Sequence, residues 1–203
     1  MSALINLKVG AMYRAVCLYC LQEGIMVDGV IDEARLLSVL DSIGVSFKYN
    51  SSKNASETIL NGVNVEQDIR GLWVSDNVSK VSKLKAVRKK MVYIQQEIGV
   101  AKGVVMDGRD IGTKVFPDAR LKLFVTASSE IRAQRRYDEL VKKEEGITYK
   151  EVLGNLTQRD NHDMNREINP LLQAKDAILI DNSELSIKTQ NDLINNLIET
   201  KLG

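Results

Sequence analysis

The chain reads as an α/β protein, with a parallel sheet flanked by helices and a small antiparallel insert. Three observations predict that class. Apolar strand-like runs alternate with helical segments along most of the 203 residues, which implies parallel strands with helices on both faces. An island near residues 45–65 switches to strand character around an Asn-Gly turn. Two apolar runs, at 103–107 and 121–125, end in polar residues around a glycine-containing loop, and short runs bounded in this way read as buried strands.

Each element has its own signal. Residues 4–7 form a ragged opening strand. Residues 10–23 read as a helix stopped by Gly24, and 32–43 as a second, opened by Asp32 and closed by Gly44. A strand at 45–49 leads into the polar stretch 51–56, and Asn61-Gly62 joins the arms of a hairpin over 58–65. Leu84, Val87, Met91, Ile94 and Ile98 recur at three- and four-residue steps, an amphipathic helix ending near Gly99. The strands at 103–107 and 121–125 follow, then a charged helix over 128–143, a turn containing Gly146, and a helix over 149–158. A buried strand at 177–180 and an amphipathic helix over 187–202 close the chain. No internal repeat, coiled coil or low-complexity tract interrupts this order.

Composition narrows the function. A hydrophobic share of 44% suits a sizeable core. Twenty-eight basic residues against 27 acidic leave a net charge of +1, so no polyanionic partner such as nucleic acid is expected. No apolar stretch approaches the roughly 20 residues that cross a bilayer, and no basic-then-apolar leader opens the chain. A cytoplasmic location without membrane contact is the expectation. Cys17 and Cys20 form a C-x-x-C pair, but inside a helical stretch, whereas a redox pair wants a helix's first turn. A zinc site would need two further ligands, and His162 is the only histidine. Both cysteines are expected to be buried structural thiols.

Chemistry concentrates in a few places. Gly108, Arg109, Asp110, Gly112 and Thr113 follow a strand, where glycines allow close backbone approach and Arg109 offers a planar fork for phosphate or carboxylate. The alternative is a structural loop with an exposed arginine. Arg132 shares a helix face with Arg135 and Arg136, and Asp163 stands four residues from Arg159 and three from Arg166. Taken singly, each set is also what a solvated face with ion pairs of about 0.3–0.5 kcal/mol would look like. His162 reads as an exposed residue rather than a general base. Gln95 and Gln96 either meet a base edge or line the polar face of their helix.

DGRDIGT at 107–113 with VFPDA after it, GAMYRA at 10–15, LNGVNVEQDIR at 60–70, VRKKMVYIQQE at 87–97, TASSEIRAQRRYDEL at 126–140 and RDNHDMNRE at 159–167 stand in that order. Together they resemble bacterial cytidylate kinase from about Gly10 to the last helix. The resemblance implies a nucleoside monophosphate kinase-like fold with a core of 1–26 and 83–203, a helical lid at about 129–166, and a monophosphate-binding region at 27–82. It implies phosphoryl transfer from ATP with Mg2+ to CMP or dCMP in pyrimidine metabolism. Arg14, Arg109, Asp110, Arg159, Asp163 and Arg166 would then contact CMP, while Arg132 and Arg136 face the donor phosphates. The family begins with a strand and a phosphate loop of the form GxxxxGK followed by Ser or Thr. No such motif occurs in these 203 residues, so the first strand and loop are expected to be missing and turnover to be weak or absent. Lys8 and Val9 stand where the family usually has an acidic residue and a Ser or Thr. A catalytically silent CMP-binding protein and a non-functional gene fragment are the alternatives. The family is usually monomeric, but strand edges left open would favour self-association.

Overall fold

The computed structural model describes residues 5–142 and 146–202, so Leu4 and Lys143, ends of two expected elements, lie outside the described residues. The chain forms two compact units that divide after Gly108.

In the first unit, β1 (Ile5–Lys8) pairs in parallel with β7 (Val104–Asp107), Ile5 opposite Val104 and Lys8 opposite Asp107. Helix α1 (Val9–Gln22) follows β1 without a side-chain cap, because Lys8 sits at that position. Its core face carries Met12, Ala15, Val16, Cys17 and Cys20, all at 0% exposure. Gly24 with φ +61° turns the chain out of the helix, a conformation that suits glycine. A two-residue ribbon follows, β2 (Met26–Val27) against β3 (Val30–Ile31), too short to leave a periodic signal. Helix α2 (Glu33–Val39) is opened by the Asp32 carboxylate, which accepts from the Arg35 amide at 3.0 Å. The rest of the expected 32–43 helix tightens into a 3-10 turn, Leu40–Ser42.

The insert is a three-stranded antiparallel sheet of β4 (Val45–Asn50), β5 (Ala55–Leu60) and β6 (Val63–Asn64). Asn61 and Gly62 turn it with φ of 48° and 85°, the positive pair that a type I′ hairpin demands. Glu66 braces the insert by accepting from the Thr58 amide at 3.0 Å, the Thr58 hydroxyl at 2.8 Å, and the Arg70 guanidinium. Burial pushes the Glu66 carboxyl up, but the bonds from Arg70 and Thr58 together hold it below the usual carboxylate range.

Helices α3 (Leu72–Lys83) and α4 (Lys85–Val100) meet at Leu84. Only α4 was legible, because the buried stripe of α3 consists of Val74, Asn77 and Val81. Asn77 breaks the apolar pattern and satisfies its own amide by donating to the Trp73 carbonyl at 2.9 Å. Met12, Val16, Val81, Val87 and Met91 make the fully buried centre of this unit.

In the second unit, β8 (Leu123–Thr126) pairs in parallel with β9 (Ile178–Asp181), Leu123 opposite Ile178. Helices α5 (Ser129–Leu140) and α6 (Tyr149–Asn165) pack together, with the Tyr137 and Tyr149 rings edge to face at 6.2 Å. A capping box between Thr148 and Glu151 starts α6. This helix runs past the expected end at 158, since nothing in 159–165 breaks it. Helix α7 (Ile187–Leu202) lies on the surface, with no residue fully buried.

The architecture is α/β with parallel strands and a small antiparallel insert, as expected, but the parallel strands form two separate pairs, one in each unit. The expectation of buried strands needs correction. Val105, Val125 and Leu179 are 41%, 48% and 55% exposed, because a two-stranded ribbon in each unit covers only one of its faces.

Candidate functional site

The second unit gathers four of the residues singled out from the sequence. Beyond Arg109 the chain makes a π-turn, Ile111–Val115, in which the Asp110 carbonyl accepts from the Lys114 and Val115 amides at 2.9 and 3.3 Å. The Phe116 amide donates to the Ile111 carbonyl at 2.7 Å. This wide turn buries Asp110 to 4% exposure. The end of α6 supplies the opposing groups, Asp163 and Arg166.

Arg109 donates through Nε to the Asp163 carboxylate at 2.8 Å, and Arg166 donates through Nη1 to its other oxygen at 3.4 Å. Arg166 also lies 3.9 Å from the Asp110 carboxylate and donates through Nε to the Asn169 carbonyl at 2.6 Å. The result is an alternating chain of charge, Arg109, Asp163, Arg166, Asp110. The Asp163 and Arg166 side chains are 11% and 13% exposed, whereas Arg109 is 43% exposed. Arg109 is therefore oriented through Nε, and its terminal nitrogens have no hydrogen bond among the described residues. An oriented, half-exposed guanidinium is suited to bidentate capture of an oxyanion.

The arginines of α5 part company. Arg132 donates through Nε to the Ala127 carbonyl at 2.9 Å and pairs with Asp160 on α6 at 2.6 Å. Arg135 hooks α5 to the end of β9 by donating to the Asn182 side chain and carbonyl at 3.0 and 2.8 Å. Arg136 is exposed and pairs with Glu139 at 3.1 Å, its one ion pair among the described residues. Arg159 is exposed and makes no ion pair among the described residues. His162 is exposed as expected. Arg14 belongs to the first unit, where it donates to the Ile69 carbonyl and the Ser75 hydroxyl, each at 3.0 Å.

Three further residues escaped the sequence reading. Arg88 is 3% exposed, stacked 5.6 Å from the Tyr13 ring and donating to the Ser82 carbonyl at 3.2 Å. It sits in the basic run VRKK, which reads as solvated. Asp160 and Lys122 find their partners on distant segments, so spacing carries no hint of either. Gln95 is 1% exposed with both amide atoms unpartnered among the described residues, so the polar-face reading fits only its exposed neighbour Gln96.

Burial pushes the Cys17 and Cys20 thiols up to about 12 and about 11, the opposite of a reactive thiolate. No group of three or more His, Cys, Asp or Glu that could hold a metal ion occurs among the described residues. None of their helices is long and apolar enough to cross a membrane.

Comparison with known proteins gives a consistent family. The cytidylate kinase family matches residues 3–200. The chain is 53% identical over 184 residues to the cytidylate kinase of Parabacteroides distasonis, covering 91% of this chain and 80% of that protein. It is 53% identical over 188 residues to that of Bacteroides fragilis, covering 93% and 82%. The cytidylate kinase of Flavobacterium johnsoniae is 46% identical over 199 residues, covering 96% and 86%.

Proposed function

The chain belongs to the cytidylate kinase family, and from that premise we propose that it binds CMP or dCMP as the acceptor of a phosphoryl group from ATP, with magnesium, to give CDP or dCDP. The observation that carries this reading is the alternating network in which Asp163 orients a half-exposed Arg109. A nucleotide phosphate would take the terminal nitrogens of Arg109 by charge-assisted bonds. Asp163 has acceptor capacity left for a sugar hydroxyl, with Arg166 and Asp110 behind it and Arg159 one turn earlier on α6. Arg14 is assigned to the same ligand by its place in GAMYR. Arg132 and Arg136 are assigned to the donor phosphates, within a lid of about 129–166, and residues 27–82 to the monophosphate-binding region.

Phosphoryl transfer depends on positioning and charge stabilisation, and these side chains supply positive charge already held in place. Magnesium is usually held by one or two carboxylates together with substrate phosphates, so here the ion accompanies the donor. The rival reading is a silent CMP-binding protein, in which the same network holds the monophosphate without transfer. A cytoplasmic location accompanies either reading, and self-association with a second copy accords with the half-exposed strand pairs.

Calorimetry with CMP and a coupled assay with ATP, magnesium and CMP test both readings on the same sample. Binding with turnover of roughly 1–100 per second is the kinase result. Binding without turnover selects the silent reading, and a wild-type chain that does not bind CMP overturns both.

A further inference from the structure

Lys122 stands just before β8 and is buried, its side chain 7% exposed. Lysine is almost never buried unless its ammonium is paired. Here Nζ donates to the Pro117 carbonyl and to both oxygens of Asp176, at 2.8 and 2.7 Å, which engages all three of its donors. The bond from Lys122 holds the Asp176 carboxyl below its usual range. The backbone of Lys122 is anchored separately, since its carbonyl accepts from the Ile178 amide at 2.9 Å and so belongs to the β8–β9 ladder.

The stem of the same side chain lies under the π-turn. A Cβ on Gly112 would come within 3.3 Å of Lys122 Cδ and 3.8 Å of Ala174 Cβ, so the turn is laid directly on the lysine's methylenes. One side chain thus ties the strand pair to the middle of the 110–117 segment through Gly112 and to its end through Pro117. Single π-helical turns are rare and frequently lie at functional sites, and these ties add to the turn's own backbone bonds and the weak Thr113 hydroxyl contact to Asp110. The ion pair itself adds little to stability, because the Asp176 side chain is 65% exposed and solvent screens such a pair. What an apolar side chain would lose is the grip on a particular carbonyl.

Resting on the reading of the site given above, we infer that Lys122 is a positioning residue: it fixes the 110–117 segment on the β8–β9 pair, and so sets where Asp110 and the adjoining Arg109 meet Asp163 and Arg166. It touches no substrate.

Lys122→Met, Lys122→Arg and Asp176→Asn in the full chain test this, by residue-resolved amide exchange and CMP calorimetry. Lys122→Met is expected to raise exchange at the Val115 and Phe116 amides by about tenfold or more, leave the β8 and β9 amides unchanged, and weaken CMP by about tenfold. Lys122→Arg should restore most of both, and Asp176→Asn should fall between. Unchanged exchange in 110–117, or an equal rise throughout β8, β9 and the segment, would overturn the inference, as would a loosened segment with undiminished CMP affinity. A wild-type chain that does not bind CMP would defeat the site reading instead, and exchange in 110–117 would still decide the role of Lys122.

Discussion

Asp163→Asn separates two explanations of the arginine site. The substitution keeps shape and one acceptor oxygen but removes the charge shared by Arg109 at 2.8 Å and Arg166 at 3.4 Å. One arginine keeps a carbonyl acceptor while the other faces an amide NH2, so one charge-assisted bond, which contributes about 1.5–3 kcal/mol, is lost, roughly 2 kcal/mol. The longer bond and the 43% exposure of Arg109 reduce that to about 1–2 kcal/mol after allowance for solvent screening. For a chain of this size the melting temperature should fall by about 2–8 °C. Binding gives the sharper test. Removing a carboxylate beside an anion site raises the local positive potential, so if attraction ruled, CMP would bind more tightly. If Asp163 works by holding Arg109 in its pose, affinity falls, by about tenfold for 1.4 kcal/mol. Thermal melting and CMP calorimetry on Asp163→Asn, Arg109→Ala and the double variant form a cycle, with an expected coupling of about 0.5–3 kcal/mol. Tighter CMP binding, or strict additivity, would refute the positioning argument.

Arg109→Ala alone should abolish most CMP binding, and unchanged calorimetry would take Arg109 out of the site. The thiols, pushed up to about 12 and about 11 chiefly by burial, should resist a thiol reagent at pH 8 until the protein unfolds; ready labelling of the native chain would contradict their burial. Because both values lie above the ordinary thiol value of 9.0, their contribution is intact below pH 9 and is lost as pH rises, since the unfolded chain deprotonates first; urea melts from pH 8 to 11 should show that decline. Light scattering across a concentration series should show self-association, given Val105, Val125 and Leu179 at 41%, 48% and 55% exposure; a strict monomer at every concentration would speak against it.

The fold was legible wherever one local rule acted alone. Asp32 caps α2, Asn61-Gly62 turns the insert, and the Leu84 to Ile98 stripe marks α4, because each depends on neighbours in sequence. Helix α3 was lost to Asn77 in its buried stripe, and the β2–β3 ribbon to its brevity. The site divided along the same line. Arg109, Asp163 and Arg166 stood out by residue type and spacing, and the structure brings them together with Asp110. The shared face of Arg132, Arg135 and Arg136 did not become one cationic cluster. Their partners, Asp160, Asn182 and Glu139, come from three different segments. Helical spacing reports which side chains are neighbours, and tertiary contacts decide what each one holds.

The alternation of Arg109, Asp163, Arg166 and Asp110 also governs how far the site reaches. Two cations and two anions sum to zero, so beyond a Debye length of about 8 Å the group presents almost no field. From these four residues an approaching dianion gains almost no long-range steering, so any dependence of its encounter rate on ionic strength comes from the other charges around them. On the proposed reading of the site, recognition at Arg109 comes at contact, when its terminal nitrogens exchange water for ligand oxygen. A site of this kind selects by fit at short range.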